Sequence, residues 1–166
     1  MQVEVKIEDK EVKEALKKAA ERIGDLTPVM RTIGEVVRTS IERNFIASGR
    51  PKWKPSGRVK KKGGQTLSDS GVLRRSFSVN EAIIRATRNS VSVGTNVKYA
   101  AIHQLGGRTR AHDIRPKNKK ALRTPFGLFR KVRHPGSVIP ARPFLMVQDE
   151  DWTEIEHTIN DYIMGR

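Results

Sequence analysis

Cysteine is absent from this 166-residue chain, which excludes disulfides and thiolate metal sites. Aromatic residues make up only 5% of it. Trp53 is the sole aromatic in the first of two basic runs, so a stacking platform for single-stranded nucleic acid is not supported. No apolar stretch approaches the roughly 20 residues that a bilayer-spanning helix needs, and no membrane partner is expected. Met1 to Asp9 alternates charge with Val3, Val5 and Ile7 and lacks the apolar core of a signal peptide. A protein made and assembled in the cytoplasm is the expectation.

Catalytic patterns are missing as well. His103, His112, His134 and His157 form no i, i+4 pair on one helix, and no HExxH, CxxC or clustered carboxylates accompany them. Ser70-Gly71 has no preceding glycine at the spacing of a nucleophile elbow. Gly63-Gly64 is not part of a phosphate-binding GxxxxGK[ST] loop. Asp69 and Asp113 are lone acids in basic surroundings, suited to capping or ion pairing rather than to acting as bases. His103 reads as a polar residue beside a packed helix. The expectation is a non-enzyme with no cofactor and no metal.

What the chain does have is charge, and the charge is segregated. The net charge is +15, yet residues 1–49 carry nine basic and nine acidic side chains. Residues 50–75 carry nine basic and one acidic, and residues 106–142 eleven basic and one acidic. Residues 143–166 reverse the sign, with one basic and six acidic. Such asymmetry points to an electrostatic role.

Periodicity supplies the elements. Val3, Val5 and Ile7 suggest an opening strand, and Asp9 a cap for a helix with Val12, Leu16, Ala19 and Ile23 on one stripe, stopped by Gly24. Thr27 at N-cap and Pro28 at N1 start a second helix. Its stripe of Val29, Ile33, Val36, Val37, Ile41 and Phe45 runs to Ser48-Gly49-Arg50-Pro51. Residues 50–66 have too little apolar content to order themselves and are expected to be mobile. Asp69 or Ser70 caps a short turn through Val72 and Leu73 into a strand near Phe77 and Val79. Ile83 to Thr87 and Val91 to Thr95 read as a hairpin about Arg88-Asn89-Ser90. Residues 108–139 form an extended basic excursion, also expected to be mobile. Pro140 and Pro143 stiffen the return, and Phe144, Leu145 and Val147 make a last strand. Asp149 to Ile163 forms a helix with Trp152, Ile155, Ile159 and Ile163 on one face and Asp149, Glu150 and Asp151 at its N-terminus, where the macrodipole favours acids. The fold class is α+β. One domain over residues 1–166 is expected, a small, mostly antiparallel sheet packed by the long N-terminal helix and the C-terminal helix, with long basic loops.

The stretch "VGTNVKYAAIHQLGG" (Val93 to Gly107) reads as strand, turn, helix and glycine stop. Gly94 and Asn96 tolerate positive φ. Tyr99, Ile102 and Leu105 share a helical face that would anchor on the sheet. Gly106 supplies a left-handed C-cap, and Gly106-Gly107 launches the basic excursion. With "HPGSVIPARPFL" (His134 to Leu145, including Pro140, Arg142, Pro143 and Phe144), this stretch resembles the phage virion morphogenesis family, the Mu G-like tail-completion proteins of tailed phages and prophages. "NFIASGRPKWKP" (Asn44 to Pro55), "LSDSGVLRRSFS" (Leu67 to Ser78) and "DEDWTEIEHTINDYI" (Asp149 to Ile163) fit the same pattern in the same order. Ser70 stands where the family's turn has threonine, and the likeness is loose between Arg108 and Lys131.

The resemblance implies a structural virion protein that completes the tail and joins it to the head at the neck. Its location would be the virion, and the host cytoplasm during assembly. Implied partners are other copies of itself in a ring, hexameric by tail symmetry, tail-tube or terminator and neck proteins, and DNA in non-specific passage. Candidate channel or subunit-contact residues are Trp53, Arg58, Lys60, Lys61, Lys62, Arg74 and Arg75, with Arg108, Arg110, Arg115, Lys117, Lys119 and Lys120. Lysine and arginine contact phosphates through charge and counterion release, without base readout. Three readings of these residues stay open: a surface mating with acidic protein, the lining of a DNA channel, and plain solvated loops. The alternative to the virion reading is a non-viral basic nucleic-acid-binding module. A DNA-processing enzyme would need a carboxylate cluster, and the basic regions hold only Asp69 and Asp113.

Overall fold

The computed structural model describes residues 10–166. The expected strand at Val3, Val5 and Ile7 and the cap at Asp9 lie outside the described residues. Helix α1 spans Lys10–Gly24 and α2 spans Thr27–Ile46. Pro28 sits in the first turn of α2, where its missing N–H leaves no helix bond unmade. Thr27 is not the cap. Leu26 stands at the N-cap without a side-chain bond, and Asp25 just before it accepts from the Thr27 N–H at 3.0 Å, because a short carboxylate reaches the backbone two residues on.

The expected stripe of α2 is the spine of the interior. Its first half, Val29, Ile33 and Val36, packs against Ile155 of α6, which spans Asp149–Met164. Its second half, Ile41 and Phe45, joins Trp53, Leu73, Phe77, Ala100 and Phe144. Phe45 is the hub of this aromatic cluster: its ring centroid lies 5.7 Å from Trp53, 6.1 Å from Phe77 and 5.4 Å from Phe144. Burying each such ring contributes on the order of 2–3 kcal/mol. Four of the chain's nine phenylalanine, tryptophan and tyrosine rings meet here, so the scarce aromatic content is concentrated rather than spread.

The hairpin forms where expected. Strand β1, Ile83–Ala86, pairs antiparallel with β2, Val91–Gly94, with Ile84 opposite Val93. It lies on α2 at Gly34, where a Cβ would stand 2.6 Å from Ile84 Cγ2; only glycine lets the hairpin come so close. Two other expected strands do not form. Phe77 follows a single turn of helix, α4 (Val72–Arg75), and is fully buried in a turn, while Val79 is exposed. Neither Asp69 nor Ser70 caps α4; Gly71 stands at its N-cap. Phe144, Leu145 and Val147 are irregular backbone. Side-chain amides take the partners that a neighbouring strand would have supplied: Asn44 Nδ2 donates to the Phe144 and Met146 carbonyls, 3.0 Å each, and Gln104 Oε1 accepts from the Phe144 and Leu145 N–H groups.

The small helix α5, Ala100–Leu105, exists but faces the other way. Leu105 is 77% exposed and Tyr99 is exposed at the N-cap, while Ala100 enters the core. The orientation comes from the return segment, since Arg142 N donates to the His103 carbonyl at 2.8 Å and Gln104 holds Phe144. Gly94 does not take a positive φ. Gly106 does, at 74°, but with ψ 179° it is not the expected left-handed cap; it redirects the chain out of α5.

Helix α6 keeps Ile155 and Ile159 of its expected face on the inside, but Trp152 is not part of it. The inward positions are Asp151, Ile155, Ile159 and Tyr162, and Trp152 is 55% exposed. Asp151 is buried by polar demand. Its carboxylate accepts from Ser40 Oγ and from Gln148 N (2.8 Å), and Arg50 Nη2 lies 3.8 Å away. Arg50 also binds Asn44 Oδ1, Ser40 Oγ and Glu150. This network, which ties α2 to α6, is not apparent in the periodicity.

Candidate assembly surface

The basic excursion folds back on itself. Strand β3 (Gly107–Arg108) pairs with β8 (Val138–Ile139), β4 (His112–Ile114) with β7 (Val132–His134), and β5 (Leu122–Thr124) with β6 (Gly127–Phe129). From Gly107 opposite Ile139 to Ile114 opposite Val132 the register runs without a slip. The end hairpin, Leu122 opposite Phe129, has its own register. The result is a nested two-stranded arm with Pro125 and Phe126 at its tip.

A two-stranded ribbon cannot bury both of its faces, and this one exposes charge and apolar surface together. Arg108, Arg110, Arg115, Lys117, Lys119 and Lys120 are all exposed along it. Asp113, the one acid of the segment, is neutralised within the arm by Lys131 at 2.9 Å and Arg133 at 3.4 Å. The hydrogen bond from Lys131 leads in holding its carboxyl below the ordinary value of 3.8. Across the same ladder the His112 and His134 rings stack with centroids 5.1 Å apart. At the tip Phe126 is 91% exposed, with Leu128 and Phe129 also exposed. These rest beside an apolar groove of about 440 Å³ that includes Pro125, Lys131 and Val132. Apolar side chains gathered at the end of a projecting arm mark an interaction site more often than scattered ones do.

The arm's root is anchored. A Cβ at Gly106 would lie 2.7 Å from Ala141 N and 3.1 Å from Ile139 O. Pro140, Arg142 and Pro143 carry the chain back, and Phe144 plugs it into the aromatic cluster. Ile102 lies within 3.4 Å of where a Gly107 Cβ would sit.

The first basic run divides differently. Trp53 is no surface contact: it is 6% exposed, and its Nε1 donates to the Pro143 carbonyl at 3.0 Å. Helix α3, Gly57–Lys62, gives part of this segment regular structure, capped by Ser56 Oγ accepting from Val59 N. Lys60, Lys61 and Lys62 are exposed in its last turn, where the helix dipole favours cations. Arg58 is engaged, lying 3.3 Å from Asp69 and donating to the Gln65 carbonyl at 2.6 Å. Arg74 is half-buried and Arg75 exposed. Thus the lysines of α3 and the six expected cations of the arm remain exposed, Arg58 is occupied, and Trp53 belongs to the core.

Opposite in sign, α6 exposes Asp149 and Glu156 one turn either side of Trp152, and Glu154 and Asp161 elsewhere on its surface. Among the described residues no group of three or more His, Cys, Asp or Glu is arranged to hold a metal ion. No described helix is long and apolar enough to cross a membrane.

Comparison with known proteins adds what geometry alone does not. The model of the phage virion morphogenesis family matches residues 7–164. The chain belongs to that family. This virion morphogenesis protein is similar to "Mu-like prophage FluMu G protein 2" of Haemophilus influenzae (strain ATCC 51907 / DSM 11121 / KW20 / Rd), with 33% identity over 165 residues, covering 96% of the chain and 95% of the relative. No solved structure matches it. The family match runs through the arm as well as the core, so the loosely matching segment between Arg108 and Lys131 lies within one continuous domain of a virion morphogenesis protein.

Proposed function

We propose that this protein is a structural, non-enzymatic component of the virion that completes the tail and joins it to the head at the neck, as a closed ring of identical copies. The observation that carries the reading is the arm: a basic ribbon with an apolar tip, on a chain whose last helix exposes a tryptophan with Asp149 and Glu156 beside it. A positive, apolar projection and a negative helix face bearing a tryptophan on one protomer can meet in a heterologous contact, and such contacts close into rings when the rotation per subunit allows. A hexamer matches tail symmetry. The neighbours along the axis are tail-tube or terminator proteins on one side and neck proteins on the other. In this reading the lysines of α3 and the cations of the arm that are not used between subunits face passing DNA without reading its sequence.

The test is sedimentation of the purified protein at low and high salt, beside the Phe126→Ser, Leu128→Ser double variant. An oligomer in the wild type that weakens with salt and is lost in the variant is expected. A salt-insensitive monomer that also fails to bind isolated tails counts against the reading. The non-viral nucleic-acid alternative predicts instead tight duplex binding, with an affinity that falls steeply with salt.

A further inference from the structure

Two arginines buried in this chain are treated in opposite ways. Arg38 is 8% exposed and Arg142 5%. Arg38 lies 2.6 Å from Glu35 and 2.9 Å from Glu42. The Glu35 hydrogen bond, first among these causes, lifts the Arg38 pKa above the ordinary guanidinium value. Arg142 has no carboxylate within 4.0 Å among the described residues, and burial, unopposed, lowers its pKa. An arginine stays protonated in proteins. Arg142 is therefore a buried full charge without a counter-ion among the described residues, where folded proteins ordinarily pair such a charge.

Its hydrogen bonding is equally incomplete. Nε donates to the Lys54 carbonyl at 2.9 Å, which among the described residues is the one bond made by a side chain with five N–H donors. Beside it, His103 Nδ1 is buried with no partner among the described residues. Burial, and then the charge of Arg142, holds the His103 pKa below 6.5. The two residues, with Ser56, line both of two adjoining clefts, of about 340 and 430 Å³. The charged groups facing them are Arg58 and Asp69 from the first cleft and Lys54 from the second. Asp69 is already held by Arg58 and is largely exposed.

We infer that the Arg142–His103 pair is an oxyanion seat that receives a carboxylate presented by a neighbouring protein chain. A carboxylate matches the planar guanidinium fork and accepts from it in two places, and the imidazole N–H is a third donor. Duplex phosphates are a poorer fit. They ride on a wide, stiff helix and are met by side chains that project, whereas Arg142 is recessed; a carboxylate on a flexible side chain or chain end can enter. The seat is independent of the ring and needs only an acidic partner.

The test is titration of the isotope-labelled full-length protein with sodium acetate at constant ionic strength, with chloride and inorganic phosphate as comparators. The His103 ring and Arg142 Nε–H resonances report occupancy. Acetate is expected to shift both saturably, on the order of millimolar for so small a ligand, and to raise the apparent pKa of His103, since an adjacent anion favours the imidazolium. Arg142→Gln is expected to abolish the response. His103→Gln, which leaves the guanidinium in place, is expected to weaken it several-fold if the first variant does not fold. No acetate response in the folded wild type, or an equal response to chloride, overturns the seat. Saturation by phosphate at lower concentration than by acetate overturns its assignment to carboxylates.

Discussion

Ser40 donates its hydroxyl to the fully buried carboxylate of Asp151, 111 residues further along the chain. The pair fixes where α6 crosses α2 and sets the rotation of α6, because a buried carboxylate has to point at its donors. Removing one partner leaves the others desolvated and unpaired. Asp151→Ala is expected to lower the unfolding free energy by about 3 kcal/mol and Ser40→Ala by about 1 kcal/mol, read from urea transitions. Equal losses would show that Arg50 and Gln148 do not rely on the carboxylate.

Trp53 and the lysines after it should separate cleanly by experiment. Trp53→Ala removes a ring from the Phe45 cluster and its bond to the Pro143 carbonyl. A loss of roughly 3–5 kcal/mol is expected. Replacing Lys60, Lys61 and Lys62 by glutamine is expected to stay within about 0.5 kcal/mol per site, since all three are exposed. Any effect of the lysines should appear in assembly or DNA retention instead.

Gly106 and Gly94 make a paired test of the arm's root. At Gly106 a side chain meets both a φ of 74° and the backbone of Ile139 and Ala141. Gly106→Val is expected to destabilise by roughly 3 kcal/mol and to expose the arm to limited proteolysis. At Gly94 nothing lies within 4 Å of the added Cβ. Gly94→Ala is therefore the near-neutral control, and similar proteolysis in both variants would contradict the account of the root.

His103 gives the fold a dependence on pH with a definite sign. Its folded-state pKa lies below 6.5, chiefly through burial and then through Arg142. The unfolded chain therefore binds the proton first. Stability is unaffected well above 6.5 and falls as the pH drops from 6.5 toward the lower folded-state value. Thermal melts at pH 7.5 and pH 5 should show this loss in the wild type, and a smaller loss in His103→Gln.

Long or regular elements were legible in the sequence because their apolar spacing repeats. The stripe from Val29 to Phe45, the Ile83–Val93 hairpin and the last helix all form near their expected places. Some expectations failed on orientation. Trp152 lost the inner face to Asp151, and Leu105 lost it to Ala100, although hydrophobicity favoured the larger residues in both cases. Others failed on the element itself: the sequence favours strands at Phe77 and Phe144, yet distant partners hold each in irregular backbone. Arm pairing joins residues such as His112 and His134, whose own sequences are too polar to announce a strand.

By itself the sequence determined the charge segregation, the absence of thiol chemistry, the long helix and the likeness to virion morphogenesis proteins, because these depend on composition or on local order along the chain. Only the tertiary structure decided that Trp53 is core, that the second basic run is a ribbon with Phe126 at its tip, and that Arg142 is buried without an acid among the described residues. Those outcomes depend on which distant groups satisfy one another's hydrogen bonds and charge. No spacing within a single segment encodes that competition.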